Sequence, residues 1–140
     1  MYRRMAALNS AVEHCGLEPQ LLELIKMRAS QINGCAYCLD MHSKDARAMG
    51  ETEQRLYALN AWRETPFYTE RERAALALTE EITLITDGHV PDAVYEEARR
   101  VFDEKEVGQI VWAAAVINTW NRLAISARSV PGPYQPGQHQ

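Results

Sequence analysis

The sequence predicts an all-α fold, a helical bundle of about six helices, and three observations carry that expectation. No stretch alternates apolar and polar residues at the period of two that a half-buried strand needs. Apolar residues recur instead at three- and four-residue spacing, between Gly, Pro and Asn punctuation. Helix-start signatures also stand ahead of these periodic runs, among them Thr69 with Glu72 and Asp103 with Glu106. At 140 residues the chain has the length of one domain and can bury a core without disulfide staples or a structural metal.

The elements follow in order. Met5, Leu8 and Val12 share one face over residues 2–15, and Gly16 is placed to stop that helix. Pro19 suits the first turn of a second helix, about 19–32, with Leu21, Leu24, Ile25 and Ile32 as its stripe. Asn33-Gly34 turns the chain into a helix over 35–48 that ends at Gly50. Thr52 caps a helix over 53–63, which Pro66 terminates. Thr69 opens the next helix, reaching about Thr86, and Asp87-Gly88 turns the chain again. Pro91 starts a short helix over 92–102, and Asp103 caps the last helix, which runs to about Arg128.

Within that last helix, "QIVWAAAVINTW" is apolar around almost its whole circumference from Ile110 to Ile117. Such a helix lies in the middle of a bundle, or has its outer face covered by another subunit. The domain is therefore expected over 1–128. The tail 129–140, rich in Pro and Gly, is expected as an extended arm or as disordered chain.

Composition excludes several classes. Charged residues make up 24% and the net charge is -4, with no basic block, so a nucleic-acid partner is not expected. The longest apolar run is too short to span a bilayer, so no membrane association is expected, and "MYRRMAALNS" lacks the apolar core of a signal peptide. Three cysteines, an odd number, argue against a fully paired secreted framework and for a reducing, cytoplasmic location. Trp62, Trp112 and Trp120 read as core or interface aromatics, His89 as exposed, Cys15 as a packed free thiol, and Asn118 and Arg122 as polar contacts in the bundle.

The chemistry concentrates in "INGCAYCLDMHSK", residues 32–44. On a helical wheel Cys38 lies about -60° and His42 about -20° from Cys35, so the three share a face. Cys35, at the helix start, meets free amide N–H groups and the positive end of the helix dipole, both of which favour a thiolate. Cys35 and Cys38 at i, i+3 are close enough for a disulfide after a modest adjustment. His42 is one turn from Cys38, within reach of its proton directly or through one water. Three uses compete: a redox pair with a base, part of a zinc site, or a packed structural pair. Zinc wants four closed ligands, and only His14 and Cys15 are near in sequence to complete the set, so no metal is expected. Glu23 interrupts the apolar run "LLELIKM". It is either a solvated acid pairing with Lys26 at i, i+3 or a carboxylate turned toward His42.

Glu23, Cys35, Cys38 and His42 in this order resemble the AhpD-like alkylhydroperoxidase group of the carboxymuconolactone decarboxylase superfamily. The flanking "MRASQINGCAYCLDMHSKDARAMGET", "LNAWRETPFYTERERAALALTEEIT" and "INTWNRLAISAR" are similar too. The resemblance covers about residues 15–128. It implies an AhpD-like all-α domain that assembles as a homotrimer or homohexamer. It also implies reduction of an organic hydroperoxide at the expense of a dithiol or protein-thiol donor, with no cofactor. By the same resemblance Cys38 attacks the peroxide, Cys35 resolves the sulfenate into a disulfide, and Glu23 with His42 relays protons. Tyr37 stands where the best-studied members carry a second histidine, and a phenol is a poor base at neutral pH. A non-catalytic oligomeric redox sensor, with Cys35 and Cys38 as its switch, is the alternative.

Overall fold

In the computed structural model, which describes residues 1–138, every regular element among the described residues is a helix. The described residues form seven α-helices: α1 (Tyr2–Glu13), α2 (Pro19–Asn33), α3 (Ala36–Ala48), α4 (Glu53–Ala58), α5 (Glu70–Thr83), α6 (Asp92–Val101) and α7 (Glu104–Ser126). A 3-10 segment, Leu59–Glu64, follows α4 directly. Local chemistry sets the starts. Pro19 opens α2, Thr52 Oγ1 caps α4 through the amide of Arg55, and complete capping boxes open α5 and α7 at Thr69/Glu72 and Asp103/Glu106. Each such cap stabilises its helix by about 1 kcal/mol.

The differences from expectation lie at helix ends. α1 stops at Glu13, and Gly16 (φ 109°) falls in the loop beyond it. α5 stops at Thr83. The helix expected over 53–63 is α-helical only to Ala58, because Ala61 (φ -122°, ψ 33°) breaks it. Tertiary anchors hold the tighter turn. Arg28 donates to Asn60 Oδ1 at 2.9 Å, and the buried Trp62 indole donates to Glu80 Oε1 at 2.8 Å.

The middle of the bundle is α2, which packs against α3, α5 and α7. Every residue from Leu21 to Met27 is buried. Leu21, Leu22 and Ile25 enter one core with Ala75 and Leu78 of α5 and Ile110 and Ala114 of α7. Leu24 and Met27 enter a second core with Ala46, Leu56, Leu59, Trp62 and Leu76. Each fully buried aliphatic side chain contributes about 1.5–3 kcal/mol. α7, by contrast, is not central. Ile110, Ala113, Ala114, Val116 and Ile117 are buried, whereas Val111, Trp112 and Ala115 face outward, with Trp112 58% exposed. One consequence of a central α2 decides the rest: two of its three charged residues, Glu23 and Lys26, are carried inside.

Candidate active site

The turn between α2 and α3 builds the cysteine pair. Gly34, at φ 70° and ψ 35°, ends α2 in the left-handed conformation. Its amide donates to Gln31 O at 3.3 Å and the amide of Cys35 donates to Ser30 O at 3.0 Å, the pairing of a Schellman stop. Cys35 is thus the residue just past one helix and also the N-cap of the next, where its Sγ accepts from the amide of Cys38 at 3.3 Å. It stands one residue before the first helical turn rather than inside it. The two Cα atoms are 5.3 Å apart and the side chains are joined as a disulfide. Cys35 is 1% exposed and Cys38 2%.

An amide network anchors this turn to α7. Asn33 Nδ2 donates to Asn118 Oδ1 and to Asn121 Oδ1, both at 2.9 Å. Asn121 donates to Ser30 Oγ at 3.0 Å, and Asn118 to Thr83 Oγ1 at 3.0 Å. Asn121 is fully buried, so the end of the helix that sends the chain into Cys35 is clamped to α7 by satisfied polar groups, in addition to the apolar packing farther along it.

Beside the pair, Glu23 bonds in two directions. Its Oε1 accepts from Lys26 Nζ at 2.9 Å and its Oε2 from His42 Nδ1 at 3.0 Å. The two roles that the sequence set against each other are both filled. The pair with Lys26 is not solvated: Glu23 is 3% exposed and Lys26 5%. Burial pushes the Glu23 carboxyl upward, but the hydrogen bond from His42, then the charge and hydrogen bond of Lys26, bring it below its ordinary value. Burial likewise works against the Lys26 ammonium. Glu23, and after it Glu13 at 3.5 Å, outweigh burial and hold it above its ordinary value. A carboxylate only accepts, so the neutral His42 ring carries its proton on Nδ1 and its lone pair on Nε2. His42 makes no hydrogen bond to either sulfur among the described residues, and a bridging water would complete that path.

The tail closes this network. Lys44 Nζ donates to the carbonyls of Gly132 and Tyr134 at 3.0 Å each, and the amide of Gly132 donates to Asp40 Oδ2 at 3.0 Å. Tyr134 is buried and its hydroxyl donates to Asp45 Oδ1 at 2.7 Å. Burial first, then the bond to Asp45, hold its phenol above the usual range. The described tail residues are therefore an arm tied to α3, and residues 139 and 140 lie outside the description. Glu23, His42 and Asp45 bring one donor atom each to within 4.8 Å of one another, a grouping of metal-ligand type. Its donors are already engaged, by Lys26, by each other and by Tyr134, and a cation would enter beside a buried ammonium. The arrangement suits protons better than a metal.

The structure thus brings Glu23, Cys35, Cys38 and His42 to one place between α2 and α3. Sequence reasoning missed Lys26 as a buried member, Asp45 and Tyr134 as neighbours, and the amides of Asn33 and Asn121. Asp45 is one turn beyond His42, and that spacing could have revealed it; nothing in a Pro/Gly-rich tail signals a buried tyrosine. Tyr37 is partly exposed, Trp62 is a core residue, His89 is exposed and Cys15 is a free thiol.

Residues 1–81, which include the whole cysteine–histidine helix, match the carboxymuconolactone decarboxylase family. The chain belongs to that family. A family relative, the uncharacterized protein YdfG of Bacillus subtilis strain 168, is 54% identical over 104 residues, 74% of this chain and 71% of its own. A solved structure, the protein of unknown function ATU0492 from Agrobacterium tumefaciens, provisionally assigned to antioxidant defence as an AhpD protein, superposes with a TM-score of 0.92. It is 42% identical, and the match covers 95% of this chain and 91% of that one. The debrominase Bmp8 has the same fold at a TM-score of 0.80, with 22% identity over 93% of this chain and 70% of its own. This fold is thus shared with a protein named as a debrominase, and the site, not the fold, has to carry the functional argument.

Proposed function

We propose that this protein is a thiol-dependent peroxidase that reduces organic hydroperoxides. The single observation that supports this most is a buried, disulfide-forming cysteine pair beside a histidine that is hydrogen-bonded to a buried carboxylate. In the reduced state His42 takes the Cys38 proton. The thiolate attacks the terminal peroxide oxygen, an S–O bond forms and the O–O bond breaks. The alkoxide leaves as the alcohol, taking its proton from His42. The Cys35 thiol then attacks the Cys38 sulfenic acid, releasing water and forming the disulfide. A dithiol or protein-thiol donor returns both cysteines to thiols by exchange. The sum is one hydroperoxide and one dithiol giving one alcohol, one water and one disulfide.

Attack falls to Cys38 because His42 is one turn from it and two turns from Cys35. Cys35, nearer the helix start, keeps the better thiolate-stabilising position, which suits a leaving group when the donor reopens the disulfide. The protein is proposed to work in the reducing cytoplasm as a homotrimer or homohexamer. Steady consumption of cumene hydroperoxide with excess dithiothreitol tests the reading. A protein that oxidises once and stops is a redox switch instead.

A further inference from the structure

We propose that Lys26 is a positioning residue of this site: its buried ammonium is the counter-charge of Glu23, and it thereby leaves His42 uncharged and able to accept the Cys38 proton. The inference deepens the peroxidase reading and rests on it for its catalytic consequence.

Three ionisable groups form one buried hydrogen-bonded run, Lys26 Nζ to Glu23 Oε1 at 2.9 Å and Glu23 Oε2 to His42 Nδ1 at 3.0 Å. A buried carboxylate needs a positive partner or a proton. Either Lys26 or His42 can serve, but one carboxylate needs only one. An amine holds its proton about four pH units more strongly than an imidazole, so the charge settles on Lys26. Glu13 of α1, 3.5 Å from Nζ and more exposed, adds to that preference. On the far side Asp45 of α3 is engaged by the Tyr134 hydroxyl of the tail, and α7 presents the amides Asn118 and Asn121, which do not titrate. The local charge therefore closes at Lys26 and Glu23. His42 donates Nδ1–H to the carboxylate as a neutral ring and keeps Nε2 as the base.

Without Lys26, the positive charge has to come from His42. An imidazolium cannot accept the thiol proton, so sulfenate formation at neutral pH falls by about 10- to 100-fold. Nitrogen NMR of the His42 ring, on reduced protein at neutral pH with no peroxide present, reads the charge directly. The wild type is expected to show one protonated and one bare nitrogen. Lys26→Met, an unbranched apolar replacement, is expected to show two protonated nitrogens. Lys26→Met with Glu23→Gln, which removes both charges together, is expected to restore the neutral pattern. An imidazolium in the wild type, or a neutral ring in folded Lys26→Met, overturns the inference. Should Lys26→Met not fold, the double variant decides. Folded with neutral His42 it supports the pairing, and unfolded it overturns it, because Lys26 then holds more than Glu23. Since no peroxide enters this measurement, a protein with the expected spectra but no peroxide turnover refutes the peroxidase reading and leaves the role of Lys26 standing. Turnover with the wrong spectra does the reverse.

Discussion

Glu23 and Lys26 are two opposite charges in the centre of the most buried helix, and their pH behaviour follows from the direction of each shift. Glu23 is held below its ordinary value of 4.5, so its stabilising share is present above that pH and is lost as the pH falls through the lower, folded value. Lys26 is held above 10.5, so its share is present below that pH and is lost as the pH rises through the higher, folded value. Between these limits the pair is intact. Glu23→Gln, which strands the ammonium, is expected to cost about 3–5 kcal/mol in denaturant unfolding at neutral pH. That gap from the wild type should narrow as the pH falls through the lowered folded value, where the native carboxyl also takes a proton. A gap unchanged in acid would assign the loss to packing. At this scale the sequence was informative where spacing on one helix carries the chemistry, as for Cys35, Cys38 and His42. Glu23 stood out as an acid in an apolar run. The sequence did not reveal that Lys26 is buried, because burial of a lysine depends on what surrounds α2 on every side. Tyr134 is placed by Lys44 and Asp40 holding the tail backbone, which leaves no local pattern.

At the scale of elements, the site depends on the junction of α2 and α3. One residue, Cys35, closes the first helix and caps the second, and Asn33 ties that junction to α7. Asn121→Leu removes the acceptor of Asn33 and the donor to Ser30, leaving both without that partner. Denaturant unfolding is expected to show a loss of about 1–3 kcal/mol. Closure of the Cys35–Cys38 disulfide after oxidation is expected to slow as well. Lost stability with unchanged closure would confine the network to holding the bundle together. The helix starts were legible because caps are local; both capping boxes form as the sequence implies. The break at Ala61 was not, because Asn60 and Trp62 are pulled by Arg28 and Glu80 from distant parts of the chain. Asn33 was legible as a turn residue only, since its partners are more than eighty positions away.

For the whole molecule, α7 raises the question of assembly. The sequence offered two accounts of its apolar circumference, and the outward Trp112, Ala115 and Leu123 remove the one that put it in the middle of the bundle. Covering by a second copy is the proposal that remains. Trp112→Glu is expected to convert a trimer or hexamer into monomers of 15.9 kDa in light scattering while the helical content holds. A wild type that is already monomeric at micromolar concentration would contradict it. The central claim concerns the cysteine pair, and repeated turnover tests it most directly. Reduced protein is given cumene hydroperoxide in stoichiometric amount, the new bond is located by mass spectrometry, and excess dithiothreitol and peroxide are then supplied. The account expects two thiols lost per chain in a Cys35–Cys38 disulfide with Cys15 free, followed by many cycles that stop in Cys38→Ser and stall at a single sulfenate in Cys35→Ser. A bond that involves Cys15, a sulfenate on Cys35 formed at the wild-type rate in Cys38→Ser, or one oxidation with no further turnover would contradict it.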